Sequence, residues 1–106
     1  MGSKHNTHIY NDSGEVVRVV LTDNNKRNTI RLIDQNQLIC IPTVHGVNTV
    51  SVFSRLDDGK FSGIANGCYT DESDRSFIIV KTQKGLEIVR SKYGYIKTID
   101  EEARID

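Results

Sequence analysis

The chain has 106 residues, and its 14 Lys and Arg balance its 14 Asp and Glu, so the formal net charge is zero. This length corresponds to one domain with a core that needs no metal or disulfide. The neutral charge argues against a dedicated nucleic-acid binder, since such proteins usually carry a basic excess. No apolar run approaches the ~20 residues of a membrane helix, and the polar N-terminus shows no secretory signal.

The predicted elements are short strands. Val, Ile and Thr supply 10, 12 and 8 residues, whereas Ala supplies only 2, and β-branched side chains favour strands over helices. Clusters of Asn, Asp and Gly, which favour chain reversals, separate the runs. In chain order the predicted strands cover 7–10, 15–22, 29–34, 38–43, 48–55, 60–65, 68–70, 76–83 and 86–91. This spacing predicts an all-β fold, an antiparallel β-sandwich of roughly seven to nine strands, Ig-like or jelly-roll-like.

The two ends of the chain differ from its middle. Residues 1–6 are polar, and we expect them to be disordered or left over from cloning. Thr98 and Glu101 have the spacing of a helix capping box, but too few residues follow for a stable helix. We therefore predict a single β-sandwich domain over 1–106, in which 98–106 form a short helical turn or an acidic tail.

Alternation along the strands predicts which face is buried. Val17 and Val19 share one parity and Arg18 takes the other, which is typical of a sheet with one buried and one wet face. The runs 38–41 and 77–80 are apolar on both faces. We expect these runs to be central strands, or strands whose outer face is covered by loops or by a second subunit.

The residues that could carry out catalysis or bind zinc form no known motif. Cys40 and Cys68 are too few for a disulfide scaffold, so they are either buried free thiols or one bridge between neighbouring strands. No CxxC pair is present for zinc. No nucleophile-elbow motif is present either, and a Cys–His pair would depend on tertiary contact. We expect no enzymatic activity.

Two acidic loops, 57–59 and 71–74, are the first candidates for a binding site. Carboxylates on converging loops can hold Ca²⁺ or accept hydrogen bonds from sugar hydroxyls, although ordinary turn chemistry also explains them. If Asn66 and Gly67 form a two-residue hairpin turn, both loops lie at the same end of the sandwich. If 60–70 is one continuous strand, the loops lie at opposite ends. We favour the hairpin.

Two further groups offer weaker signals. Tyr93 and Tyr95, between Lys92 and Lys97, resemble the base-stacking strand of cold-shock domains; the alternative is a final strand with packed tyrosines, and the neutral charge disfavours nucleic acid. The strand arginines either share an outer face that binds carboxylates or phosphates, or pair across strands with Glu15, Asp34 or Glu87. These arginines are Arg18, Arg31, Arg55 and Arg90.

The overall character of the chain resembles the very small hemagglutinin-type lectins of plasmodial slime moulds. The stretches that carry the resemblance are IYNDSGEVVRVVLTDNN and GVNTVSVFSRLDDGKFSG, strands joined by turns rich in Asn, Asp and Gly. The resemblance implies a compact β-sandwich that binds glycans of glycoproteins and has no enzymatic machinery. Because the chain has no Trp, Tyr69 or Tyr93 would stack on the sugar.

We therefore predict a non-enzymatic recognition module, a small lectin whose site lies on loops at one end of the sandwich. No cofactor is expected, apart from Ca²⁺ at the acidic loops. Agglutination requires two sites per particle, for example in a homodimer. The alternatives are a protein–protein interaction or structural module that pairs through 38–41 or 77–80, and, less favoured, a single-stranded nucleic-acid binder. The predicted glycan-binding residues are Asp57, Asp58, Asn66, Tyr69 and Asp71.

Overall fold

A computed structural model describes residues 5–72 and 76–90, which form eight β-strands and no helix. The strands are β1 (His5–Asp12), β2 (Val17–Thr22), β3 (Asn28–Ile33), β4 (Leu38–Thr43), β5 (Val47–Phe53), β6 (Gly67–Glu72), β7 (Ser76–Thr82) and β8 (Gly85–Arg90). β1 begins at His5, inside the N-terminal segment predicted to be disordered. Residues 1–4 and the predicted C-terminal turn or tail, 98–106, lie outside the described residues.

The strands form two four-stranded sheets packed face to face. The first sheet has the order β4-β1-β7-β8 and the second the order β3-β2-β5-β6. Neighbouring strands are antiparallel except β1 and β7, which pair in parallel. The prediction of an all-β, antiparallel sandwich is therefore confirmed, with one parallel pair that the sequence pattern did not reveal.

The core lies between the sheets and follows the predicted alternation. On β2, Val17, Val19 and Leu21 point inward and are buried, whereas Arg18 and Val20 are on the outer face. Burial of such aliphatic side chains is the main stabilising contribution to a domain of this size. The buried cluster comprises Ile9, Val17, Val19, Leu21, Ile33, Ile41, Val50, Val52, Phe77, Ile79, Leu86 and Ile88.

The two runs predicted to be apolar on both faces behave differently. β7 is a central strand, and on its outer face Ile78 is buried beside Tyr10, with Leu38 and Val80 packed against them. β4 lies instead at the edge of the first sheet, where Pro42, which has no N–H, costs the ladder little. A central position is confirmed for 77–80 and wrong for 38–41; the alternative for 38–41, an outer face covered by loops or by a second subunit, stays a prediction.

Both cysteines are exposed free thiols, so the prediction of buried thiols is wrong and the alternative of one bridge is excluded. Cys40 lies on β4 in the first sheet and Cys68 on β6 in the second. Each occupies an outward position, since Cys40 is opposite His8 and Cys68 is opposite Ser51. A side chain on the outer face of one sheet cannot reach the outer face of the other.

A buried asparagine joins the two sheets at the end where β1 finishes and β2 begins. Asn11 is fully buried, and its Oδ1 accepts hydrogen bonds from the backbone N (3.1 Å) and the Oγ (2.6 Å) of Ser13. Its Nδ2 donates to three backbone carbonyl oxygens, those of Glu15 (2.7 Å), Ile33 (3.0 Å) and Asp34 (3.1 Å). These bonds connect β1 of the first sheet to the end of β3 in the second.

Candidate functional site

The outer face of the second sheet carries a contiguous group of apolar side chains around one arginine. The strand register places Leu32, Arg18 and Phe53 in one row across β3, β2 and β5, and Ile30 and Val20 in the next row. Ile30 and Leu32 are 57% and 58% exposed. We call this surface the Arg18 face; it comprises Arg18, Val20, Ile30, Leu32 and Phe53, with Phe61 from the connection between β5 and β6.

The apolar side chains of β3 are exposed because of the position and the parity of that strand. β3 is an edge strand, and only Ile33 at its end is buried in the core. Ile30 is opposite Val20 and Leu32 is opposite Arg18, on the outward side of β2. Scattered apolar residues on a surface are ordinary, whereas a contiguous exposed group marks an interaction surface.

The tip of the connection between β5 and β6 is a tight turn. The backbone N of Gly59 donates to the oxygen of Leu56 (2.9 Å), and the N of Leu56 donates to the oxygen of Lys60. Gly59 has φ of 87°, which a glycine adopts without steric cost. Asp58 accepts a hydrogen bond from the backbone N of Lys60 at 2.9 Å. Asp58 therefore acts as a turn former.

The base of the same connection is fixed to the end of β5. The backbone N of Asn66 donates to the oxygen of Val52 (2.8 Å), and the Asn66 Oδ1 accepts from the N of Ser54 (2.9 Å). The Oγ of Ser62 bonds both the N (3.1 Å) and the oxygen (2.9 Å) of Ile64. Such local bonds compete with a sheet ladder, and the strand predicted over 60–65 is absent: only an isolated bridge joins Arg55 and Phe61.

Arg18 contacts Phe53 of β5 and two residues of the folded connection, Phe61 and Ser62. The guanidinium carbon of Arg18 lies 4.7 Å from the ring centroid of Phe53 and 5.7 Å from that of Phe61. Its Nη2 donates to the backbone oxygen of Ser62 over 3.4 Å, a long hydrogen bond. The Nε is buried and makes no hydrogen bond within the described part of the chain. Two aromatic rings thus orient a half-buried cation.

The predicted glycan-binding residues do not come together. Asp57, Asp58 and Asn66 belong to the connection between β5 and β6, at one end of the sandwich. Asp71 lies near the far end of β6, opposite Asn48. Asn66 and Gly67 do not form a hairpin turn, because Gly67 is already paired with Val52 as the first residue of β6. The premise of one shared acidic rim is therefore wrong.

Tyr69 and Asp71 also have structural partners inside the fold. Tyr69 packs against the core, with its ring centroid 5.2 Å from that of Phe77 and the ring planes inclined at 56°. A carboxylate oxygen of Asp71 lies 3.3 Å from Nη1 of Arg90. These inward positions follow from the parity of β6, which places Cys68 and Thr70 on the outer face instead.

The four strand arginines do not share a face. Only Arg18 lies within the Arg18 face; Arg31 is opposite Val19, on the other side of the sheet, at an exposed edge position. Arg55 belongs to the connection after β5, and Arg90 pairs with Asp71. Glu15 is one of the acidic residues expected to pair with these arginines. Its carboxylate instead lies 2.9 Å from the Nζ of Lys81.

Sequence reasoning missed Ile30 and Leu32, although a signal was available. The two residues alternate with Arg31 and have the parity opposite to Ile33. Because a six-residue strand turns only one face inward, burial of Ile33 implies exposure of Ile30 and Leu32.

The described residues offer no metal centre or membrane helix. Over 5–72 and 76–90, no group of three His, Cys, Asp or Glu side chains is arranged to hold a metal ion. Asp74 of the second acidic loop, and the predicted base-stacking residues Tyr93 and Tyr95, lie outside these ranges. No helix in this part of the chain is long and apolar enough to cross a bilayer.

Comparison with known proteins supports the fold. No protein-family model matches the chain, and no curated protein matches it. Among solved structures, the chain is similar to the NMR structure of a protein from Eubacterium rectale, with 10% sequence identity and a TM-score of 0.55. The similarity covers 88% of this chain and 93% of the other. At this identity the comparison supports the fold alone.

Proposed function

We propose that the protein is a non-enzymatic recognition module that binds a partner protein through the Arg18 face. The observation that carries the proposal is the exposure of Ile30 and Leu32, more than half in each case, beside an arginine oriented by two phenylalanines. Aromatic residues and Arg are enriched in protein interfaces, and the residues that contribute most to binding cluster in such groups.

The energetics favour a partner that covers the whole face. Covering a half-exposed Ile or Leu contributes roughly 1 kcal/mol, about half the value for complete burial. Association costs at least about 4 kcal/mol of lost translational and rotational freedom. Ile30 and Leu32 alone cannot offset that cost, so a stable complex also needs contacts to Phe53, Phe61 and Arg18.

Site-specific photo-crosslinking tests the proposal. A photoreactive phenylalanine analogue at position 32 should form protein adducts in an extract of the source cells. The same analogue in place of Val89, an exposed apolar residue on β8 of the other sheet, is the matched control. The crosslinked protein is then purified and its binding to wild type and to Leu32→Glu is measured. Equal adducts at both positions, or equal binding of both proteins, would refute the proposal.

Glycan binding remains a second proposal, now limited to the connection between β5 and β6. Asp57, Asp58 and Asn66 lie on this one connection and are exposed; Asp58 Oδ1 and Asn66 Oδ1 each accept one backbone hydrogen bond, and the other polar atoms of the three side chains could bond sugar hydroxyls. Red-cell agglutination, with and without EDTA and competing glycoproteins, tests this proposal. The wild-type protein is compared with the double variant Asp57→Asn/Asp58→Asn. No agglutination and no binding across a glycan panel would remove the lectin function, and with it the expectation of two sites per particle, in a homodimer or on one chain.

A further inference from the structure

We infer that the partner of the Arg18 face presents a carboxylate, from an Asp or Glu side chain flanked by apolar residues, to the Arg18 guanidinium. This inference rests on the proposed function and adds the chemistry of the partner to it. Its basis is the charge of Arg18, the groups that surround this side chain, and the apolar residues beside it.

Arg18 differs from the paired cations on the same molecule. Lys81 has the carboxylate of Glu15 and Arg90 has that of Asp71. Arg18, in contrast, makes one long hydrogen bond to a backbone oxygen and has no carboxylate partner within residues 5–72 and 76–90. A guanidinium has five N–H donors, and within the described residues four of them have no protein acceptor, among them the buried Nε–H. A partly desolvated charge without a partner is costly, and an external carboxylate would remove that cost.

The surroundings of Arg18 prepare it for a planar ligand. The rings of Phe53 and Phe61 lie 4.7 Å and 5.7 Å from the guanidinium carbon and limit the space in which it can move, so less side-chain entropy is lost when a ligand binds. Its planar fork matches a carboxylate with two parallel hydrogen bonds. Because the side chain is half-buried, a ligand can reach it from solvent while the rings lower the local dielectric and strengthen the attraction.

The neighbours of Arg18 favour a peptide over a nucleic acid. In its row across the sheet, the flanking residues are Leu32 and Phe53, and the next row holds Ile30 and Val20. A phosphate backbone would require several cations along its path, whereas this face offers one cation among apolar side chains, two of them aromatic. A partner segment with one acidic residue beside one or two apolar residues would match both the single cation and the apolar side chains around it.

Selection from a randomised peptide library displayed on phage tests the inference directly on the full chain. Enriched sequences are synthesised together with matched peptides in which Glu becomes Gln and Asp becomes Asn. Their affinities are measured for wild type, Arg18→Gln, Arg18→Lys and Leu32→Glu. Arg31→Gln serves as the control, since Arg31 is an exposed arginine on the opposite side of the same sheet. Thermal melting verifies that each variant is folded.

The expected result is enrichment of peptides with an acid between apolar residues. Arg18→Gln and neutralisation of the peptide acid should each weaken binding by about tenfold or more, and their effects should not add. The peptide affinity of Arg18→Lys should lie between those of wild type and Arg18→Gln, and the affinity of Arg31→Gln should equal that of wild type. This pattern supports both the inference and the proposed function.

Other results separate the two claims. If enriched peptides carry no acid, or bind Arg18→Gln as well as wild type while Leu32→Glu abolishes binding, the carboxylate inference is overturned and the proposed function stands. If no peptide is enriched, or if Arg18→Gln and Leu32→Glu both bind the enriched peptides as tightly as wild type does, both claims fail. A single-stranded oligonucleotide that binds wild type and not Arg18→Gln, in the absence of any enriched peptide, would assign the arginine to phosphate and also overturn the inference.

Discussion

Replacing Asn11 with alanine should destabilise the sandwich more than any exposed asparagine substitution. The side chain donates three hydrogen bonds and accepts two, and an amide has only two N–H protons, so one donation is shared. Losing four effective bonds at about 1 kcal/mol each should lower the free energy of unfolding by roughly 4 kcal/mol. That is a large fraction of the roughly 5–15 kcal/mol typical of a domain.

Urea denaturation followed by circular dichroism measures this loss. The midpoint should fall for Asn11→Ala while the slope with urea stays constant, since the surface exposed on unfolding is unchanged. Asn25→Ala is the matched control: Asn25 is exposed in a turn, and its substitution should change the stability by less than about 0.5 kcal/mol.

Asn11→Asp separates lost hydrogen bonds from lost volume. Asp has nearly the same size, but at neutral pH it would set a carboxylate against the three carbonyl oxygens that Asn11 now binds. We expect it to destabilise at least as strongly as alanine. A loss below about 1.5 kcal/mol for Asn11→Ala, or an Asp variant as stable as wild type, would refute the view that this side chain joins the two sheets.

Two further predictions concern the loops and the thiols. Gly46→Ala should lower the free energy of unfolding by about 2 kcal/mol, because Gly46 has φ of 123° and an added Cβ would lie 2.7–2.9 Å from side-chain atoms of Asn24. Gly63→Ala is the control, since nothing lies within 4 Å of a Cβ at that position, and it should leave the stability unchanged in the same urea titration. Equal losses for the two variants would contradict the argument. Cys40 and Cys68 should both react with a thiol reagent such as DTNB in the native protein, since both are exposed, and a thiol that reacts only after denaturation would show that one of them is protected.

The strands were largely predictable because their signal is local. The run 38–43 is β4 as predicted, and the inward parity of Val17 and Val19 follows from alternation alone. What alternation does not contain is the order of strands in the sheets. The parallel pairing of β1 with β7 joins residues about seventy positions apart, and no local pattern specifies such a contact.

The candidate site was less predictable because it depends on one loop conformation. The acidic rim required a turn at Asn66, whereas Asn66 accepts a hydrogen bond from the N of Ser54 and donates one to the oxygen of Val52, and these bonds anchor a longer connection. That connection carries Phe61 to Arg18, a contact between residues on non-adjacent segments. The sequence showed an arginine on an outer face but not the rings that orient it.

The position of β1 has a consequence for synthesis on the ribosome. The N-terminal strand is interior to its sheet, between β4 and β7, so one of its edges stays unpaired until β7 has left the exit tunnel. At about 5–20 residues per second, the roughly sixty residues between the two strands take about 3–12 s to be translated. During that interval the backbone N–H and C=O groups along this edge of β1 have no strand partner, and such an unpaired edge can pair with a strand of a neighbouring nascent chain.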